Sequence, residues 1–409
     1  MKNIIIVGGG ASGLVSAIYA AKTGNNVTIL EKNSNCGKKI LITGNGKCNY
    51  WNTNQSLDNY HSNNLEIYKS ILTKENQEKI LHLFTSIGIV PKIKDGYYYP
   101  YSNQATSIQT ALIKEAKLNG VKILNDTEVL NIEKGPNKFK IITNKGTFNS
   151  DKVILSTGSK SYPKTGSDGI GYKLATNLGH NIIKPLPALT GLKSDVSYLK
   201  EWHGIRSDVS VSLIENNKII NKEIGEIQLT NYGVSGICIF NLSGQASRGL
   251  HSKKKEQISI NFLNPININT EEEFVNWMDT RNKQIKNRTI SDLLDGLLNY
   301  KLINLILKIS KINKDNSWNN ISLKEKYLLG TNLTNHILNI IDTNDFNNAQ
   351  VTTGGIPLTE INPLTMESLK TKNLYITGEL LDIDGNCGGY NLTNAWITGM
   401  IAGKGVNND

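Results

Sequence analysis

"NIIIVGGGASGLVSAIYAAKTGNNVTILEK", residues 3–32, decides the fold. Residues 4–7 form a continuous apolar run, the pattern of a strand buried on both faces. Gly8, Gly10 and Gly13 then follow in the order G-x-G-x-x-G. Ala11 and Ser12 open a segment whose Leu14, Ala17, Ile18 and Ala21 recur at helical spacing. Gly24 stands where a helix C-cap belongs, residues 27–30 read as a second strand, and Glu31 ends it. Each part has a task in dinucleotide binding. Gly8 permits the tight turn, Gly10 lets backbone approach a pyrophosphate, and Gly13 lets helix and strand pack closely. Free N–H groups at the helix start meet the phosphate charge. Glu31 is placed to accept from a ribose diol and would repel a 2′-phosphate, which disfavours NADP at this site. Strand, loop, helix, strand and acid in register make this a dinucleotide unit, with FAD and NAD both open.

The following stretch, "GKKILITGNGKCN" (37–49), would pass over such a dinucleotide. Gly44 and Gly46 allow close backbone approach, Lys38, Lys39 and Lys47 add positive charge, and Cys48-Asn49 close the run. Its first part, "KKILITG", is also a strand candidate. Near the other end stands "GELLDIDGNCGGYN" (378–391). There Gly388 and Gly389 lead into a helix expected to begin near Leu392. Such a helix start would stabilise negative charge on a bound group.

With these motifs the chain resembles the aminoacetone oxidase-type and BaiN-like FAD-binding flavoproteins. The basic pair Lys38-Lys39, then Thr43, Gly44-Asn45-Gly46, Lys47 and Cys48-Asn49 follow that family's order. The Thr157-Gly158 turn in residues 151–180 and the terminal block 351–403 match it as well. Three departures lie on the substrate side. Relatives carry a basic residue where Tyr97 stands, Gln-aromatic where Thr393-Asn394 stand, and apolar residues where Thr190-Gly191 stand.

The resemblance implies an α/β, Rossmann-like FAD-binding fold made discontinuous by a small inserted β-barrel and a helical insert. The expected boundaries are 1–187 with 351–409 for the FAD-binding domain, 188–265 with about 346–350 for the barrel, and 266–345 for the helices. It implies FAD as cofactor. Gly8, Gly10, Ala11, Ser12, Gly13, Glu31 and Lys32 would serve the phosphate and adenosine side, together with Val129, Thr157 and Gly158. The loop residues Lys38, Lys39, Gly44, Gly46, Lys47, Cys48 and Asn49 would cover the cofactor. Gly378, Glu379, Gly388, Gly389, Tyr390 and Asn391 would hold the ribityl-flavin half, with Glu379 facing its hydroxyls.

The implied reaction passes hydride between a small organic substrate and flavin N5, under the insert domains. The flavin itself carries the chemistry, so no side chain is named as catalytic. Cys48, Tyr97 and Tyr99 are pocket candidates, while Cys48 reads equally as buried packing and Tyr97 to Tyr99 as strand residues. No second strand–GxGxxG–helix unit stands mid-chain, which favours an oxidase acting on aminoacetone or a related amine with O2 and releasing H2O2. The alternative is an NAD(P)H-dependent reductase of an enone or steroid-like substrate, with NAD(P)H bound transiently; a flavoprotein that binds RNA through its positive charge is the third and least favoured reading.

Elsewhere the reading is coarser. Residues 126–148 read as a β-meander, and residues 207–244 alternate as in an antiparallel sheet or barrel. Residues 266–345 read as helical, with capping boxes at Thr270/Glu273 and Ser322/Glu325. Formal net charge is +10, from 45 basic and 35 acidic residues, but the lysines are scattered, so no nucleic acid is expected as partner. The four cysteines form no CxxC and the six histidines show no metal spacing, so no metal is expected. Neither a signal peptide nor a membrane span is legible, and a cytoplasmic protein is the expectation.

Overall fold

A computed structural model describes residues 1–407 and divides the chain into two compact units, Met1–Leu186 with Gln350–Asp409, and Pro187–Ala349. The first unit is built on a five-stranded parallel sheet. Its strands are β1 (Asn3–Val7), β2 (Asn26–Leu30), β3 (Lys122–Leu124), β4 (Lys152–Leu155) and β5 (Leu374–Ile376), in the spatial order β5-β4-β1-β2-β3. β1 lies at the centre and registers Ile4 to Val7 against both neighbours, with Val7 opposite Leu30 and Leu155. This central position explains the uninterrupted apolar run, because both faces of the strand are covered.

Two helices matter most for the site: α1 (Ala11–Ala21), which follows β1, and α2 (Tyr390–Gly405), the last helix of the chain. They pack at backbone distance. A Cβ at Gly399 would stand 2.5 Å from Ser12 O, and one at Gly403 2.5 Å from Ser16 O. Glycine four residues apart on α2 therefore lets that helix lie directly on α1. α2 starts at Tyr390, two residues earlier than the sequence suggests, because Gly389 turns left-handed (φ +92°) and serves as the N-cap.

One further sequence expectation changes in this unit. "KKILITG" is not a strand. Residues Ile40–Ile42 form a single 3-10 turn in which Thr43 N–H donates to Ile40 O, and only Ile40 is buried while Ile42 faces out. An apolar run this short cannot by its composition distinguish a strand from a turn anchored by one residue. Residues 65–86 form two helices, Leu65–Ile71 and Lys74–Ser86, and Thr73 caps the second by accepting from Asn76 N–H. The meander is present as an antiparallel sheet of Val129–Lys134, Phe139–Thr143 and Gly146–Ser150.

The second unit holds a closed six-stranded barrel. Its long hairpin, Arg206–Glu215 with Lys218–Leu229, carries the alternation seen in the sequence. That alternation stops earlier than expected: residues Ile237–His251 form a helix whose Cys238, Ile239, Leu242 and Ala246 join the barrel core. Both capping boxes are formed, on helices Glu271–Gln284 and Leu323–Thr334. The helical stretch ends there. His336–Thr343 has alternate residues buried and pairs with Glu256–Asn261 and Leu192–Ser194 as a barrel strand. Barrel and helices share one apolar core. No helix among the described residues is long and apolar enough to cross a membrane.

Candidate functional site

The turn after β1 shows which glycines the chain itself requires. Gly8 sits at φ +98°, and a Cβ there would lie 2.6 Å from Ser156 O at the end of β4. A Cβ on Gly9 would lie 2.3 Å from the Cys36 Sγ, and one on Gly13 2.0 Å from Gly8 O. Gly10 differs. Its backbone (φ −77°, ψ −164°) suits any residue, and a Cβ would meet nothing closer than Ser156 O at 4.0 Å. Nothing in the chain demands glycine at position 10. The room in front of it, at the N-terminus of an 11-residue helix, is a cradle that a side chain would fill and a phosphate could enter.

The acid that ends β2 is held from inside. Glu31 is buried, with Oε2 accepting from Gly9 N–H at 2.8 Å and Oε1 from Asn33 N and Nδ2 at 2.8 and 2.7 Å. The carboxylate is thereby fixed beside the phosphate turn, with lone pairs remaining for a ribose diol. Next to it, Lys32 Nζ pairs with Asp168 at 2.6 Å, and Thr127 N–H donates to Glu31 O at 2.8 Å, two residues before buried Val129. Burial pushes the Cys36 thiol, packed under this turn, up to about 12.

The two ends of the chain meet here. Gly378 (φ +66°) would place a Cβ 2.7 Å from the Ser12 hydroxyl, and its N–H donates to Thr398 on α2 at 2.9 Å. The neighbouring Glu379 forms an ion pair with Lys39 at 2.8 Å, so the loop of residues 37–49 touches the terminal block directly. Thr157 also reaches the phosphate turn, through Ser156: the Cβ that would strike Ser156 O from Gly8 would lie 3.0 Å from Thr157 Cα, while a Cβ on Gly158 would meet Ser167 Oγ at 2.7 Å. Gly8, Gly10, Ala11, Ser12, Gly13, Glu31, Lys39, Thr157, Gly378 and Glu379 thus form one neighbourhood.

A second neighbourhood surrounds the start of α2. Gly388 (φ +135°) lies between two rings, since a Cβ there would be 2.9 Å from Tyr390 Cε2 and 3.0 Å from Tyr97 Cε1. A Cβ on Gly389 would be 3.0 Å from the Trp51 backbone, and Asn52 Nδ2 donates to Gly388 O at 3.1 Å. Tyr390 is buried, edge-on to Tyr60, and its hydroxyl is pushed up to about 12 by burial and by Tyr97. The side chain of Asn391 is committed to Gly385, donating to its O at 2.7 Å and accepting from its N–H at 2.9 Å, so it shapes the loop.

Other expected residues sit apart. Lys38, Gly44, Gly46 and Lys47 are exposed on the turn surface. Asn49, with its amide nitrogen turned inward, donates to Tyr98 O at 3.1 Å and Trp51 O at 2.9 Å. Cys48 is fully buried and burial pushes its thiol up to about 12, so at neutral pH it is a packed thiol and not a thiolate nucleophile. Tyr97 and Tyr99 are half-buried on the strand Tyr97–Pro100, facing away from Tyr98, which packs edge-on against Tyr50. Sequence reasoning missed Ser161, Thr398 and Asn52, which hold Glu379, Gly378 and Gly388. No local spacing marks them, since each partner lies far along the chain.

A family profile described as "HI0933-like protein Rossmann domain" matches residues 2–405. The chain belongs to that family. It is 36% identical over 99% of its length, and 98% of the relative's, to a 3-dehydro-bile acid delta(4,6)-reductase of Clostridium scindens. It is also 28% identical over 96% of its length, and 94% of the relative's, to a ribosomal RNA dihydrouridine synthase of Escherichia coli. Among solved structures, the open conformation of a flavocytochrome c3 fumarate reductase matches with TM-score 0.50 at 14% identity, covering 99% of this chain and 78% of that one, which concerns the fold alone. The chain is a flavin-dependent oxidoreductase with an FAD-binding Rossmann-type fold.

The residues fit the cofactor. The open cradle at Gly10 would take the pyrophosphate, Glu31 would face the adenosine ribose, Glu379 the ribityl hydroxyls, and the first turn of α2 the flavin ring. When bound, FAD supplies the hydride chemistry. The chain supplies orientation, backbone N–H groups at two helix starts, and a buried scaffold that keeps them in place.

Proposed function

We propose that this protein is an FAD-dependent reductase that saturates a C=C bond conjugated to a carbonyl, drawing its electrons from NAD(P)H. The acceptor's β-carbon takes a hydride and its α-carbon a proton. The names of the two curated relatives support this choice, because each describes saturation of such a bond: one in a 3-oxo steroid acid, one in the uracil ring of RNA. They favour it over oxidation of an amine by O2.

The structural observation that carries the reading is the meeting of Tyr97 with Gly388 at the start of α2. Tyr97 stands opposite Lys94, and Tyr99 opposite Lys92, in an antiparallel pairing that puts all four side chains on one face. Both lysines are exposed, and the two rungs are about 7 Å apart. Half-buried rings beside exposed cations suit a planar conjugated acceptor that carries an anionic group, and both relatives' substrate types meet that description. Tyr97 and Tyr99 would stack on the ring, and Lys92 and Lys94 would fix its anionic substituent.

The test is anaerobic. Protein loaded with FAD is reduced by NADH or NADPH and mixed with a 3-oxo-Δ4 steroid acid or a uridine oligonucleotide. Return of the oxidised flavin spectrum together with a saturated product is expected from one of them. A reduced flavin inert to both, alongside peroxide release with aminoacetone in air, would overturn the reductase reading in favour of the oxidase.

A further inference from the structure

The contact between Lys39 and Glu379 raises an electrostatic problem that the fold has solved. Glu379 belongs to the terminal block, and its neighbour Gly378 abuts Ser12 in the first turn of α1. A carboxylate so close to the phosphate turn would repel a dinucleotide, whose pyrophosphate carries two negative charges. In the structure that carboxylate is never bare. Lys39 Nζ lies 2.8 Å from its Oε2 and donates to Ser161 Oγ at 2.6 Å, while Ser161 Oγ donates to Glu379 Oε1 at 2.9 Å. Thr352 N–H donates to the same Oε1 at 3.2 Å. Ser161 is fully buried, while the Lys39 and Glu379 side chains are 25% and 18% exposed. The pair also joins two segments separated by 340 residues of chain.

We infer that Lys39 is the counter-charge that allows Glu379 to stand beside an anionic cofactor, and that Ser161 fixes the geometry of this pair. The inference rests on the FAD reading above. Lys39 is a positioning residue: it acts on the cofactor through Glu379, and is not itself the phosphate ligand. Glu379 can then accept from the ribityl hydroxyls while the pair as a whole carries no net charge toward the pyrophosphate. A direct phosphate ligand would behave differently, because its loss could not be compensated by neutralising Glu379.

The experiment is a titration of cofactor-free protein with FAD, read by quenching of flavin fluorescence at low and high salt. It compares the wild type with Lys39→Met, Lys39→Arg and the double variant Lys39→Met/Glu379→Gln. Lys39→Met leaves an unpaired carboxylate and should weaken binding at least tenfold at low salt, with the deficit shrinking as salt rises. Lys39→Arg should keep most of the affinity. The double variant should recover most of what Lys39→Met loses, and because it is charge-balanced it keeps the test decisive even if Lys39→Met folds poorly. Double-variant binding as weak as that of Lys39→Met would overturn the inference and make Lys39 a direct ligand. A salt-independent deficit would overturn it in favour of a purely structural contact. Failure of the flavoprotein reading is a separate result, visible beforehand as a wild type that takes up no FAD.

Discussion

Gly10→Ala separates what the fold needs from what the cofactor needs. In the protein without cofactor the change should be nearly silent. The backbone at Gly10 suits alanine, and the new methyl group would meet only Ser156 O at 4.0 Å. Loss of unfolded-state freedom favours alanine by about 0.4–1 kcal/mol. The N-cap preference for glycine over alanine opposes it by a similar amount, of order 1 kcal/mol or less. The two nearly cancel, and the melting temperature of the cofactor-free variant should stay within about 2 °C of the wild type. FAD binding should suffer, because the methyl group fills the space where the pyrophosphate meets the helix N-terminus. Losing one charge-assisted hydrogen bond to phosphate costs about 1.5–3 kcal/mol, which weakens FAD binding by roughly 10–150-fold. Gly13→Ala is the contrast. Its Cβ would stand 2.0 Å from Gly8 O, so it should lower the melting temperature before any cofactor is added. The assay pairs a thermal melt of cofactor-free protein with an FAD titration. Wild-type FAD affinity in Gly10→Ala would refute the placement of the pyrophosphate, and a large loss of melting temperature would refute the open cradle.

Three further outcomes follow from contacts elsewhere. Gly399→Ala should lower both thermal stability and FAD retention, since its Cβ would stand 2.5 Å from Ser12 O and push α2 off α1; a stable variant with normal flavin content would contradict that packing. His336 is buried among Tyr198, Trp202 and Phe262, and burial holds its pKa down at about 4. The folded chain keeps it neutral while the unfolded chain protonates it below about 6.5, so stability falls with acid through that window, by about 2 kcal/mol between pH 7.5 and 5. Urea unfolding of His336→Phe, compared with the wild type at both pH values, should show that slope removed; an unchanged difference would sink the assignment. Glu256 has the opposite sign. Burial first, and Glu215 opposite it second, raise its pKa to about 7, so its contribution is present in acid and lost as pH rises through 7. Glu256→Gln should therefore be more stable than the wild type at pH 8 and no more stable at pH 5, by the same measurement.

The parts that were legible in the sequence are those whose signal is local. β1, the phosphate turn, α1 and β2 occupy 28 residues in which strand, glycine order and helix period agree, and both capping boxes announce themselves within four residues. The illegible parts are decided by partners far along the chain. "ICIFNLSG" carries β-branched and aromatic residues that suit a strand, yet it folds as helix because Cys238, Ile239, Leu242 and Ala246 complete one face against the barrel core. Asn391, which the resemblance assigns to the cofactor, commits its side-chain amide to Gly385, a pairing that no motif spacing announces. Lys39 and Glu379 were each assigned to the cofactor separately. That they neutralise each other is a tertiary fact, which no spacing within either motif encodes.

The same distinction explains why the terminal glycines belong to the same site as the first ones. α1 begins at the phosphate turn and α2 begins at Gly389, and the two helices are fused at backbone contact through Gly399 on Ser12 and Gly403 on Ser16. Two helix N-termini packed this rigidly keep a constant separation, so the group that meets the first and the group that meets the second must be parts of one ligand of fixed length or two ligands held at fixed distance. Gly378, pressed on Ser12 and bonded to Thr398, ties the terminal loop to the same pair. A dinucleotide whose central pyrophosphate meets the first terminus, and whose flavin ring, anionic once reduced, meets the second, satisfies both at once. A ligand lacking the flavin ring would leave the N–H groups at the start of α2 without the ring's acceptor atoms. On this basis FAD should bind more tightly than its adenosine diphosphate half alone, and Gly389→Val, whose side chain would strike Trp51, should erase that difference while leaving binding of the half-molecule intact.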